Sequence, residues 1–223
     1  MPTEAPHSTP LPQVLRIAAS ALIVASTLAA AAKSWSHWHN YLAVRDYLAG
    51  STESVDVTFL DRAGQFSTWI MLAAAVVFVW WLWEARRTAE LLSIAQHEHG
   101  VGWVIGAWIC PVVNFWFPRR IVSDIRKASR PVDGPNRLDL RLLPGSPLID
   151  WWWSFFVAYN LIDELAIGVL YGTPSSDQLQ TVAVIDTVSM ICKVAAAVLI
   201  IMVMGQITRA QAHYRPLTVR AAT

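Results

Sequence analysis

Charged side chains are scarce in this sequence, at 15% of its 223 residues, where soluble domains average about 25%. So small a share excludes a chain that meets water over its whole surface. A net charge of +1 excludes the broad basic footprint of a nucleic-acid binder. Cysteine is nearly absent as well. Cys110 and Cys192 lie inside apolar stretches without a CxxC spacing or a nearby histidine, so no disulfide is expected and both thiols read as small buried hydrophobes. No nucleophile–base pair, phosphate loop, zincin motif or haem signature occurs, so neither an enzymatic reaction nor a cofactor is expected.

What fills the chain instead is apolar surface, 55% of residues with 12 tryptophans, and a mean hydropathy of +0.40. Indoles collect at membrane interfaces. A spanning helix needs about 20 mostly apolar residues, and four stretches meet that length, at about 13–32, 66–83, 151–171 and 181–204. The fold expected is an all-α integral membrane protein. A proline-rich tail at 1–12, expected to be disordered, precedes a single membrane domain at 13–210, and a cytoplasmic tail follows at 211–223. The first stretch has a second reading as a cleaved signal peptide, because "AAAAK" offers small residues at a cleavage site. The lack of Lys or Arg in the first twelve residues argues against it.

Basic residues set the expected topology. Nine lie between Trp83 and Trp151 and three in the C-terminal tail, against three between the first two stretches and none from Gly172 to Gln180. Four spans place both termini in the cytoplasm with twelve cations, as the positive-inside rule requires. A fifth span through "GVGWVIGAWICPVVNFWFPRR" would send the seven cations from Arg119 to Arg141 outside. That segment also carries Pro111, which removes a helical hydrogen bond, and Asn114, whose amide needs partners in hydrocarbon. Residues 101–118 are therefore expected as a re-entrant or interfacial hairpin on the cytoplasmic side. After it, Ile121, Val122, Ile125 and Ala128 fall on one helical face and Arg119, Arg120, Arg126, Lys127 and Arg130 surround the other. That pattern suits an amphipathic helix over 119–130 lying in the interface plane, against anionic lipid head groups.

The array Gly102-Trp103, Gly106, Trp108, Pro111, Asn114, Trp116 and Pro118, followed by Asp124-Ile125 and Ala128-Ser129, resembles an actinobacterial membrane family called domain of unknown function 4328. "WWLWEARRTAELL" and "DWWWSFF" fill the flanking helix-end roles of that family, with Thr88 standing where its pattern has Asn. The resemblance covers about residues 65 to 210. It implies architecture and a bacterial inner-membrane location, and it implies no reaction.

Ionisable groups inside spans are costly and point to function by default. Asn160, Asp163 and Glu164 share a face of the third span, and Asp186 and Lys193 share a face of the fourth. At about 1.5 Å per residue, Asp163 lies roughly 18 Å and Lys193 roughly 16 Å from the cytoplasmic ends. The two are expected to meet, with Glu164 close enough to share the cation. Asp186 falls near the outer interface. Either an ion pair locks the hairpin, or the cluster forms an ion or proton path. The HxH pairs at His37/His39 and His97/His99 lack a third metal ligand and read as interfacial residues.

Two functions follow. The first is a non-catalytic membrane scaffold or regulatory subunit, whose basic cytoplasmic platform holds anionic lipid, a membrane-protein partner or a second copy. The other is a small oligomeric ion-coupled transporter or channel using Asp163, Glu164 and Lys193.

Overall fold

The structure is a computed structural model that describes residues 11–50, 58–110, 112–130, 139–169 and 176–221; Pro111 lies outside the described residues. Six helices account for nearly all of them: α1 (Leu11–Leu48), α2 (Thr58–Leu92), α3 (Trp103–Ile109), α4 (Phe117–Ala128), α5 (Pro147–Val169) and α6 (Ser176–Ala221). Short 3-10 turns occur at Val113–Phe115 and Leu140–Leu142. No strand forms among the described residues beyond an isolated bridge between Gln96 and Asp139.

Among the described residues, three helical segments are long and apolar enough to cross a membrane: Leu11–Leu48, Phe66–Leu92 and Asp177–His213. The fourth expected stretch is helical too. At 23 residues α5 is about 34 Å long, but Asp150, Asp163 and Glu164 lower its apolar character.

Helix ends depart from the sequence reading in an instructive way. The apolar run of α1 stops near Ala32, yet the helix continues through "KSWSHWHNYLAVRDYL" to Leu48. Nothing in that stretch breaks a helix. The stop comes at Gly50, whose φ of 101° is the left-handed cap that glycine adopts without strain. The C-terminal segment likewise continues α6 as far as Ala221.

The segment 101–118 is broken, not continuous. Its helix α3 has seven residues, about 10 Å of rise, which is too short to cross hydrocarbon by itself. Cys110 ends it in an extended conformation, φ −82° and ψ 114°, because a residue preceding proline is pushed out of the helical region. Asn114 N–H then donates to Cys110 O at 3.0 Å, and Trp116 N–H to Val113 O at 3.1 Å. Pro118 sits in the first turn of α4, where its missing N–H costs nothing.

The chain divides into two compact units. One comprises Met1–Ala21, Ala75–Asp150 and Ile200–Thr223. Its core gathers Phe78, Trp81, Leu82, Ala85 and Ala89 from α2, Ile121, Val122 and Ile125 from α4, and Val203, Met204 and Ile207 from α6. The spacing on α2 is helical, so one face is buried while Val76 and Trp80 on the opposite face stay exposed. The other unit comprises Leu22–Ala74 and Trp151–Leu199. There Ala183, Ser189 and Ala196 of α6 are buried, small residues that allow close helix approach. On α5, Trp153, Phe156 and Tyr159 form a ladder with successive ring centroids 5.0 and 5.2 Å apart.

Candidate functional site

Two clusters carry the chemistry, one in each unit. In the unit built from Leu22–Ala74 and Trp151–Leu199, Lys193 Nζ reaches Asp163 Oδ2 at 2.7 Å. Ser189 Oγ, one turn earlier on α6, donates to Asp163 Oδ1. The Lys193 ammonium also stands 5.2 Å from the Tyr159 ring centroid, within cation–π range. Asp163 thus accepts from two donors and Lys193 has both a carboxylate and a ring. Depth along the helices brought this pair together in the sequence reading, and the structure brings the same atoms together.

Its neighbours go elsewhere. Asn160 and Glu164 are exposed, and the Asn160 amide donates to Phe156 O of its own helix at 2.7 Å. Among the described ion pairs of Lys193, Asp163 is present and Glu164 is not. Asp186 is buried and faces α1, with Lys33 Nζ at 3.9 Å and His37 Nδ1 at 3.8 Å. One residue on, Thr187 Oγ1 accepts from Trp38 Nε1 at 2.8 Å. Sequence reasoning had given Asp186 no partner because Lys33 and His37 lie beyond the apolar run of the first span. Their i, i+4 spacing was the available signal.

The second cluster lies in the unit that contains α4. The apolar face of this helix does not stay free for lipid. Pro118, Ile121, Val122, Asp124, Ile125 and Ala128 are buried, so protein takes the face that the sequence reading had laid in the interface plane. Where water is the alternative, burying Ile121, Val122 and Ile125 stabilises by about 2 kcal/mol each. Three of the surrounding cations have internal partners. Arg119 pairs with Asp150 at 2.7 Å, Arg120 with Glu98 at 2.9 Å, and Lys127 Nζ donates to Leu140 O at 2.9 Å. Arg126 Nε donates to the neutral amide of Gln206 at 3.3 Å. Burial, and then the charge of Arg130 one turn on, lower the Arg126 pKa from its ordinary value.

Buried polar groups tie this unit together. Gln211 Nε2 donates to Ala85 O at 2.8 Å and to Ser129 Oγ at 2.9 Å. Arg86, only 4% exposed, pairs with Glu90 at 2.9 Å and donates to His99 O at 3.1 Å. Asp124 accepts from the Glu98 N–H at 3.1 Å, and burial pushes its carboxyl up from the usual range against that hydrogen bond. Apart from the i, i+4 pair of Arg86 and Glu90, these links were not legible in sequence, because each joins residues far apart in the chain.

His97 is the sharpest titratable group here, lowered to about 4 by burial first and the Arg86 charge second, with Glu90 opposing. Its folded pKa lies below the unfolded value near 6.5. The unfolded chain therefore gains a proton first as pH falls, and stability drops between pH 6.5 and 4. Asp124, with a raised pKa, acts in the opposite direction. After allowance for screening of a half-buried ring, His97 should cost roughly 1–2 kcal/mol across that window. The melting temperature in detergent at pH 7.5 and pH 5 should fall less for His97→Phe than for the wild type. Equal falls would remove His97 as the cause.

The tryptophan–proline array is held by ring contacts. Trp103 meets Phe117 at 5.0 Å and Trp108 meets Phe78 at 5.6 Å. Trp116 caps α4, and Asn114 Oδ1 is buried with no hydrogen-bond partner among the described residues. The glycines are not there for space. A Cβ at Gly102 would meet nothing within 4 Å, and one at Gly106 only the Trp103 ring at 3.5 Å.

Residues 47–209 match the family model described as Domain of unknown function (DUF4328). No curated protein and no solved structure matches the chain significantly. Since the family match takes in the tryptophan–proline array, all of α4 and the Asp163–Lys193 pair, and covers most of the sequence, this chain belongs to the DUF4328 family.

Proposed function

We propose that the chain is a non-catalytic, multi-pass membrane scaffold or regulatory subunit, whose basic surface at the end of α4 holds anionic lipid head groups or an acidic partner. One observation carries this reading. Arg126 and Arg130 stand one turn apart, and neither has a carboxylate among the described ion pairs, while Arg119 and Arg120 both do. An anion placed between them would relieve their mutual repulsion. Each cation near an anionic leaflet contributes about 1 kcal/mol. Short-chain phosphatidylglycerol titrated into the detergent-solubilised protein should therefore bind about 30-fold more weakly to the Arg126→Glu/Arg130→Glu variant. Unchanged affinity would sink the proposal.

In this reading α1, α2, α5 and α6 cross the inner membrane with both termini in the cytoplasm, and residues 101–118 enter as a re-entrant or interfacial segment. The charge asymmetry of the loops and the brevity of α3 support it. Leu142 is 63% exposed and follows the basic stretch. In a variant with Cys110 and Cys192 replaced, Leu142→Cys should resist a membrane-impermeant thiol reagent until cells are opened. Labelling from outside would reverse the topology. The transporter reading has less support, because Asp163 and Lys193 already satisfy each other.

A further inference from the structure

We propose that an open groove between α2 and α3 holds one membrane lipid with a primary-ammonium head group, its acyl chain along the groove, its phosphate on Arg87 and its ammonium on Glu84. The groove has a volume of about 580 Å³, inside the range of roughly 300–1,000 Å³ that small-molecule sites occupy. Val76, Val79, Trp80 and Trp83 of α2 and Ile105 and Ile109 of α3 form its walls. Val76 and Ile109 are 66% and 75% exposed, so none of the described residues covers them.

Charge appears only at one end. Glu84 is the charged residue of the lining, and the α2 wall rises about 13 Å from Ala75 before reaching it. Arg87 follows within a turn, its side chain 65% accessible and 3.9 Å from the Glu84 carboxylate. Glu84 is the more covered partner, its side chain 22% accessible, but an ion pair this loose is worth little, and exchanging it for a ligand's two charges costs little. A phosphate and an ammonium linked in one head group match an arginine and a glutamate side by side. An anionic lipid would meet the Glu84 carboxylate with a second negative charge. A choline head group has no N–H to give that carboxylate. A partner helix laid along the groove would leave Glu84 and Arg87 against its apolar face. The groove is separate from Arg126 and Arg130, so it stands or falls apart from the function proposed above.

Native mass spectrometry of the full chain in detergent tests this, with phosphatidylethanolamine, phosphatidylglycerol and phosphatidylcholine of identical acyl chains. One phosphatidylethanolamine should be retained about tenfold more tightly than either of the others, the effect of one charge-assisted hydrogen bond. Glu84→Gln should abolish the preference and Val76→Trp, which fills the groove from an exposed position, should abolish retention. Arg126→Glu/Arg130→Glu should leave both intact. Equal retention of the three lipids, or an unaltered preference in Glu84→Gln, overturns the proposal. A change of oligomeric state in Val76→Trp with lipid stoichiometry unchanged also overturns it and assigns the groove to a second copy.

Discussion

Lys193→Ala is expected to cost about 3 kcal/mol and to lower the yield of folded protein sharply, because it strands Asp163 in the middle of a helix pair. In the four-span reading proposed above, a lone charge near mid-span costs about that much. Protein covers the two side chains only in part, leaving Lys193 24% and Asp163 37% accessible, so hydrocarbon supplies the rest of the penalty. The geometry makes the loss specific. Lys193 approaches Asp163 at 2.7 Å, and Ser189 alone would remain to hold the carboxylate. The double variant Lys193→Ala/Asp163→Ala should recover most of the loss, since no uncompensated charge is left. Thermal unfolding of the wild type, both single variants and the double gives the coupling energy, expected at about 2 kcal/mol. A double variant as poor as the single would mean that the pair does not hold α5 to α6. Glu164→Gln should be silent in the same assay, because this exposed side chain shares no ion pair with Lys193 among the described residues.

Ile125→Ala should destabilise by about 3 kcal/mol, the range seen for truncating a fully buried aliphatic side chain. Ile125 is 0% exposed, between Ile121 and Val122 of the same helix and Ala128 one turn on. The experiment separates two pictures of α4. A helix lying on a lipid surface would lose only membrane affinity when a methylene face is trimmed. A helix packed into the protein core loses cooperative stability, so the melting temperature of the detergent-solubilised protein should fall by several degrees. An unchanged melting temperature would return α4 to the lipid surface. It would also detach Arg126 and Arg130 from the rigid frame that now holds them one turn apart.

A good part of this molecule could be read along the chain. Long apolar runs announced α1, α2 and α6, because a 30 Å hydrocarbon layer asks for about 20 such residues whatever the fold. The break near Cys110 followed from Pro111, a purely local steric effect. The meeting of Asp163 with Lys193 followed from rise per residue and a short connection, which fix depth in an antiparallel pair. These are properties of one segment or of two consecutive ones, and sequence spacing encodes them directly.

Rotation of helices about their axes is different. Which face of α4 is covered, and by what, depends on α3 and the 3-10 turns that pack against it and on Gln206 and Gln211 of α6, which bond to its C-terminal end. Periodicity showed an apolar face, and only the tertiary structure assigned it to protein in place of lipid. Asp186 found Lys33 and His37 for the same reason, as did Gln211 with Ala85 and Ser129, across 126 and 82 residues of chain. The length of α1 beyond its apolar run belongs here too, since polar helical turns persist where no breaker intervenes. The sequence alone located the three long apolar segments and the place where the chain must bend. The choice of partner for each buried charge and each apolar face came only with the fold, because it depends on contacts that no local spacing records.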